Sequence, residues 1–383
     1  MLPSQRHLFD IPRDVAYLSA ASYSPLPNAV VSAGRDGVAR KARPWLMGQD
    51  FRSEQNERAR AAAARLINAN VEDVALIPSV SYGFATAAQL LPPDPGSRVL
   101  VLRDDHSSPV LEWQAREGDG GFSVETIERP RDADWTSSIV AAIERPDAQP
   151  PSIVSISSVH WADGGLIDLD AVAKSARAHG SKLVVDGTQS VGVLPMDVTT
   201  LDPDFVVFPT YKWLLGPYAR AFLYVAKRHQ HGRPLEQTAS GRRSVKSEQL
   251  VYLADTRYVD DARRFDMGER DHFISMEMAS VGMELVSGWG IANVCDRVAA
   301  LTGRIADGLD IGLMLPQAIR CPHILSLDVG PERAKPIAAA LADRNVFVSP
   351  RIGRLRIAPH VYNDETDVDR FLACFEDCRR LAA

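Results

Sequence analysis

Apolar positions in this chain fall into two alternating rhythms. Short runs are apolar without interruption: Val99-Leu100-Val101-Leu102, Ile153-Val154-Ser155-Ile156 with one small serine, Leu183-Val184-Val185 and Phe205-Val206-Val207-Phe208. Between them, stretches such as 56–68, 137–145 and 168–179 carry apolar residues at helical spacing. A strand that is apolar on both faces needs cover on both faces. Strands of this kind alternating with helices predict a largely parallel sheet with helices on either side. Asp168 is placed to cap the helix that starts at Leu169, and Gly180 to end it.

The rhythm changes after residue 230. Residues 228–248 are polar and read as a loop, followed by one long helical pattern over 275–309. The remainder reads as strands at 323–328, 346–349 and 354–358 and helices at 332–343 and 365–381. A chain of 383 residues exceeds one compact core of ordinary size. The expected organisation is α/β: a large domain with a mostly parallel sheet over 1–275, including the N-terminal segment, then a linking helix and a small C-terminal α+β domain over 276–383.

Charge narrows the function. A net charge of −6 disfavours a nucleic-acid binder, which needs a positive surface. The basic cluster Arg242-Arg243-Ser244-Val245-Lys246 is short and reads as a solvated loop. No apolar run approaches the ~18–20 residues of a membrane span, and MLPSQRHLFD carries no signal-peptide apolar stretch. Cys295, Cys321, Cys374 and Cys378 form no CxxC pair and no zinc spacing, so no metal site is expected. The expected setting is the reducing cytoplasm.

In an open parallel sheet, ligands gather beyond the C-terminal ends of the strands. Asp186-Gly187-Thr188-Gln189 follows one strand, Pro209-Thr210-Tyr211-Lys212-Trp213 another, and Asp104-Asp105-His106 a third. This set meets the needs of pyridoxal 5′-phosphate (PLP). Its aldehyde needs a lysine amine, here Lys212. Its ring nitrogen needs a carboxylate, here Asp186, to stay protonated and keep the ring an electron sink. Gln189 suits the phenolic oxygen and His106 the ring face. The phosphate needs hydroxyls and backbone N–H groups at a helix start, which Pro78–Gly83 supplies ahead of a helical Phe84–Leu91.

Residues 184–217, VVDGTQSVGVLPMDVTTLDPDFVVFPTYKWLLGP, closely resemble the core of the class V aminotransferases. This fold-type I, PLP-dependent group includes cysteine desulfurases, isopenicillin N epimerase and kynureninase. The likeness extends to YLSAAS (17–22), which resembles the strand entering the active site and places Ala21 there. It extends to Val80 and Ser81, matching the phosphate-binding pair, and to DHSSPVLEW (105–113), which puts His106 over the ring. It also covers RLRIAPHVYN (354–363), where Arg356 matches the arginine that binds the substrate carboxylate.

Departures from the pattern are informative. Pro209 and Tyr211 stand where many relatives have a serine and a histidine. Thr210-Tyr211-Lys212 is closer to kynureninase, which assigns Thr210 and Tyr211 to the phosphate. Trp161 replaces an asparagine, so His160 and Trp161 are assigned to the substrate pocket. FDMGER (265–270) resembles a segment that reaches a neighbouring subunit's phosphate, with Glu269 in place of a threonine and Arg270 as the substitute. The resemblance implies a homodimer acting on an amino acid or amine. Aminotransferase is the first reading; a β-lyase (C–S lyase) or an epimerase is the alternative. A PLP-fold binding protein without turnover fits poorly with retention of the whole set. A desulfurase would carry a nucleophilic cysteine on the loop before Arg356, and 326–341 holds none.

Overall fold

The computed structural model describes residues 2–48, 50–243 and 256–381. In chain order its strands are β1 (Ala16–Tyr17), β2 (Val74–Ile77), β3 (Arg98–Leu102), β4 (Ser123–Ile127), β5 (Ile153–Ser157), β6 (Lys182–Asp186), β7 (Phe205–Pro209), β8 (Ala221–Val225), β9 (Leu325–Asp328), β10 (Val346–Phe347), β11 (Ser349–Arg351) and β12 (Arg354–Ile357). Seven of them form the main sheet, in the order β2-β8-β7-β6-β5-β3-β4. Strands β4, β3, β5, β6 and β7 run parallel; β8 is antiparallel to both of its neighbours. This is the α/β, mostly parallel architecture expected from the uninterrupted apolar runs.

The two-residue period of a strand explains why those runs are apolar throughout. Leu100, Leu102, Val154, Ile156, Leu183, Val185, Val206 and Phe208 enter one hydrophobic cluster. Their immediate neighbours Val99, Val101, Ile153, Val184, Phe205 and Val207 enter a second. Each face of the sheet thus has its own core.

The helices are α1 (Asn28–Lys41), α2 (Phe51–Leu66), α3 (Val80–Leu90), α4 (Ser107–Gly120), α5 (Trp135–Ile143), α6 (Leu169–Ala178), the single-turn α7 (Val198–Leu201), α8 (Ser275–Trp289), α9 (Ile291–Asp307), α10 (Pro331–Ala342) and α11 (Glu365–Leu381). Asp168 caps α6 as expected, its Oδ1 accepting from the N–H groups of Asp170 and Ala171 at 3.0 and 3.1 Å. Helix α3 begins earlier than the sequence suggested, so Val80 and Ser81 lie in its first turn. Ser79 is the cap, its Oγ accepting from the Tyr82 N–H at 3.2 Å.

Two further expectations are corrected. The single helix over 275–309 is two helices, because Gly290 between them adopts φ +82°, a left-handed conformation that a helix cannot continue through. The strand expected at 346–349 is also two: β10 pairs in parallel with β1, whereas β11 pairs with β12. In the polar stretch 228–248, residues up to 243 form loops with short 3-10 turns at Lys227–His229 and Ala239–Gly241; 244–248 lie outside the described residues.

A three-stranded antiparallel sheet, β11-β12-β9, is covered by α10 and α11 over a third cluster that includes Leu325, Leu327, Leu355, Ile357, Ile337 and Phe371. Ala16 and Leu18, from the other end of the chain, complete this core. Among the described residues no helix is long and apolar enough to cross a membrane, and no cluster of His, Cys, Asp and Glu is suited to a metal.

Candidate active site

Register brings the chemistry-bearing segments to one edge. Ile77, Ala221 and Pro209 stand in one row across β2, β8 and β7; Ser157, Asp186 and Val207 stand in another across β5, β6 and β7. The chain leaves this edge into α3 after β2, into α4 after β3, and into the Lys212 turn after β7. One small cavity is lined by His106, Ser157, Trp161, Asp186, Thr188, Gln189 and Lys212. A larger cleft of about 690 Å³, bounded by Leu166, Leu194, Met196 and Ile319 among others, does not contain Lys212.

Lys212 is buried. Burial, with Arg356 next in weight, pushes its ammonium pKa down to about 7; nearby Asp186 opposes the shift. Its amine makes no described hydrogen bond or ion pair and lies 5.6 Å from the centre of the Tyr211 ring. The turn that carries it is held tightly. Leu215 adopts φ +55°, strained for a branched side chain, and α8 presses on this segment where it has no side chain: a Cβ at Gly282 would stand 2.5 Å from the Leu214 carbonyl oxygen.

Asp186 is buried at the end of β6, and its Oδ1 accepts from the Thr188 N–H at 2.8 Å. Gln189 is held from two sides: its amide donates to the Ala21 carbonyl at 3.2 Å, and its Oε1 accepts from Trp213 Nε1 at 2.9 Å. Ala21 therefore meets the site through its backbone. His106 stands just before α4, with its side chain free of any capping bond, and meets Trp161 edge-on at 6.0 Å. Asp105 fixes it: one carboxylate oxygen accepts from the His106 N–H at 2.7 Å and from Ser157 Oγ at 2.6 Å, the other from the Ser157 N–H at 3.1 Å.

The N-termini of α3 and α4 meet, Ser81 Oγ and Ser108 Oγ lying 3.2 Å apart. Two helix ends with their free N–H groups form a natural anion cradle, and Val80 and Ser81 belong to it. Tyr211 stacks on Tyr218 at 3.9 Å, and burial pushes its phenol pKa up. Thr210 lies differently. It is fully buried, and its Oγ1 donates to the carbonyls of Pro217 at 2.6 Å and Arg220 at 3.2 Å, which commits its single proton to the backbone of its own turn.

Arg356, on β12, is 2% exposed. It donates to the Trp161 carbonyl at 2.7 Å and to Ser22 Oγ at 2.7 Å; burial, then Arg351, lowers its pKa to about 9. Trp161 turns its ring toward the cavity, with Nε1 donating to the Asp104 carbonyl at 2.7 Å.

His160 is brought to the neighbourhood but turned away from Lys212. It stacks on Trp135 at 4.7 Å, with Nε2 3.1 Å from the Arg103 carbonyl oxygen and Nδ1 3.1 Å from Asp163 Oδ1, an ion-pair contact poorly aligned for a hydrogen bond. Burial favours the neutral ring, but Asp163 and Asp105 outweigh it and raise its pKa. Asp163 in turn is held at about 2 by His160 and Arg129 against the opposing effect of burial. His160 is thus held against Asp163 and Trp135 rather than in the Lys212 cavity. Glu269 adopts φ +52°, and Arg270 is paired with Asp266 of its own chain.

Sequence reasoning did not single out Asp105, Thr188, Ser22 or Tyr218. Asp105 and Thr188 stand inside motifs already noted; Ser22 was visible only as the last residue of YLSAAS.

The pocket fits PLP on observations of its own. A buried amine without a partner shares a cavity with a buried carboxylate, and Thr188 Oγ1, also buried on that cavity, has no hydrogen-bond partner. An aldehyde, a protonated ring nitrogen and ring substituents would satisfy such groups.

Comparison with known proteins agrees. An uncharacterized aminotransferase of Bacillus subtilis, YcbU, is 29% identical over 96% of this chain and 95% of its own. A probable cysteine desulfurase of Pyrococcus abyssi is 24% identical over 96% of both chains. In fold, the apo cysteine desulfurase of Thermococcus onnurineus superposes with a TM-score of 0.84 at 21% identity, over 98% of this chain and 97% of that one. The model of the family Aminotransferase class-V matches residues 16–371, and the chain belongs to that family of PLP-dependent enzymes.

Proposed function

We propose that this chain is an aminotransferase acting on an α-amino acid, with PLP held at Lys212. The observation that carries the reading is the buried, unpaired Lys212 amine, which shares a cavity with Asp186 at the C-terminal edge of the sheet and feels the charge of Arg356. PLP supplies the electron sink that lets a proton leave the substrate's α-carbon. Asp186 would keep a proton on the ring nitrogen, and His106 would cover one ring face. The first turns of α3 and α4, with Val80, Ser81 and Tyr211, would hold the phosphate, and Gln189 would face the phenolic oxygen. Arg356 would take the substrate carboxylate through its fork. Lys212, with a pKa of about 7, is half neutral near neutral pH and suited to take and return the α-proton.

The cysteines speak against desulfuration. Cys321 is buried, and burial pushes its thiol pKa up to about 12; Cys295 and Cys378 are raised by burial as well. A nucleophilic thiolate needs the opposite environment. A homodimer, a cytoplasmic setting and the division into a large and a small domain near residue 275 complete the reading.

The test is product analysis. Purified holoenzyme is incubated with a panel of amino acids, with and without a 2-keto acid. Transamination requires the keto acid and yields a new amino acid. Release of ammonia and a keto acid without any added acceptor would replace this reading with a β-lyase, and racemised substrate with an epimerase. Persulfide on Cys321 would place the chain with the desulfurases.

A further inference from the structure

Arg351 and Arg356 converge on one hydroxyl. Arg356 Nη2 donates to Ser22 Oγ at 2.7 Å, and Arg351 Nη2 donates to the same oxygen at 3.0 Å. With both lone pairs occupied, Ser22 is left to donate to Ser349 Oγ, 2.7 Å away. The other acceptors are backbone carbonyls: Trp161 for Arg356 and Pro350, at 2.7 Å, for Arg351. No carboxylate pairs with either guanidinium among the described residues. Two cations drawn together on neutral acceptors, with the Lys212 amine close by, repel one another unless an anion arrives.

One carboxylate does not satisfy this arrangement. The fork of Arg356 matches the two oxygens of a single carboxylate, and Arg351 would still lack a counter-charge. The two arginines also differ in depth. Arg356 is buried beside Lys212, whereas Arg351 is half-buried, nearer the solvent. The Trp161 ring lies beside both, its centre 5.8 Å from Arg356 Cζ and 5.9 Å from Arg351 Cζ. Two neighbouring cations set against one apolar surface suit a short methylene chain with an acid at each end.

We propose that the substrate is an acidic, dicarboxylic amino acid, its α-carboxylate on Arg356 and its side-chain carboxylate on Arg351. This rests on the reading of the pocket as an amino-acid site and narrows it to a substrate class. Arg351 is then a specificity-determining residue, and Ser22 the residue that positions both guanidiniums.

The test separates binding from turnover. Succinate and butyrate, which lack the amine, are titrated into the holoenzyme by calorimetry. Succinate is expected to bind about 10- to 100-fold more tightly, the range for one charge-assisted contact. Arg351→Met should bring that ratio close to one, and Arg351→Lys should keep part of it; melting curves verify that both variants fold. In wild-type enzyme, kcat/KM for aspartate or glutamate should exceed that for asparagine or glutamine by a similar factor. Equal binding of succinate and butyrate, a ratio unchanged in folded Arg351→Met, or amides turned over as fast as acids would each overturn the proposal. A succinate preference without turnover of any amino acid would instead support the dianion site and remove the aminotransferase reading.

Discussion

Arg60 and Arg356 are both almost wholly buried, at 0% and 2% exposure, and their surroundings could hardly differ more. Arg60, on α2, grips Asp266 with two hydrogen bonds of 3.0 and 2.8 Å and donates also to the Val74 carbonyl and, at 3.1 Å, to Glu57. Asp266 accepts in addition from the Leu76 N–H at 2.8 Å, which locks the start of the main sheet to the segment before α8. Burial opposes the charge on Arg60, yet Asp266, helped by Glu57, more than offsets it and its pKa rises. Arg356 has only a carbonyl and a hydroxyl, and its pKa falls. One arginine is a finished part of the architecture, with its counter-charge built in. The other, with Arg351 and Lys212, holds charge capacity in reserve for something that comes from outside.

Four experiments would break or sharpen this contrast. The largest effect is expected at Lys212. Lys212→Ala should abolish the yellow absorbance of lysine-bound cofactor and lower turnover at least ~100-fold, the lower bound for a lost general acid–base group. Its denaturation midpoint should match or exceed that of cofactor-free wild type, because an unpaired buried amine is removed. Retained absorbance at full strength would sink the assignment. Next is the structural pair. Asp266→Ala leaves Arg60 with only the partly exposed Glu57 and takes the same partner from Arg270, and it should cost about 3–5 kcal/mol in urea unfolding. A loss below ~1 kcal/mol would mean the pair is not the anchor described here.

Arg356→Met should show the reverse pattern: the substrate KM rises about 10- to 100-fold while stability shifts by no more than ~1 kcal/mol, since an unpaired cation gives way to an apolar chain. Equal damage to stability in Arg356→Met and Asp266→Ala would erase the distinction. The smallest effect is a pH dependence in cofactor-free protein. Lys212 has a folded pKa of about 7 against an unfolded value near 10.5, so the unfolded chain binds more protons between those limits. Stability should therefore rise with pH from 7 toward 10.5 relative to Lys212→Met, and the difference should flatten below pH 7. A flat difference across the window would place the lysine in a more polar setting.

The fold was legible where physics acts locally. Runs such as 205–208 are apolar at every position because both faces of the strand are buried, and no contact map is needed to see it. The break at Gly290 was not legible, since a lone glycine fits a helical pattern and only the backbone angle reveals the turn. The site was legible where one residue type has one natural use, as with Lys212 and Asp186. It was less so where use depends on direction. The sequence offers Thr210 and His160 as polar groups near the pocket, but cannot say that the hydroxyl proton of Thr210 goes to its own turn or that His160 faces Asp163. Ser22 and Arg351, 329 positions apart, meet only after the chain ends are brought together. Periodicity carries no information about such a meeting.

The clamp around Lys212 has a consequence in time rather than space. With Leu215 strained and the Leu214 carbonyl against Gly282, the 212–216 turn has little room to fluctuate without parting α8 from the sheet. Its amides should exchange with solvent only on the slow scale of large-scale opening. Trp161, on the wall of the Lys212 cavity, and its neighbour Arg351 are half-buried, and their side chains can turn far faster. The reactive amine is then a fixed reference, and admission and release are clocked by these faster side chains.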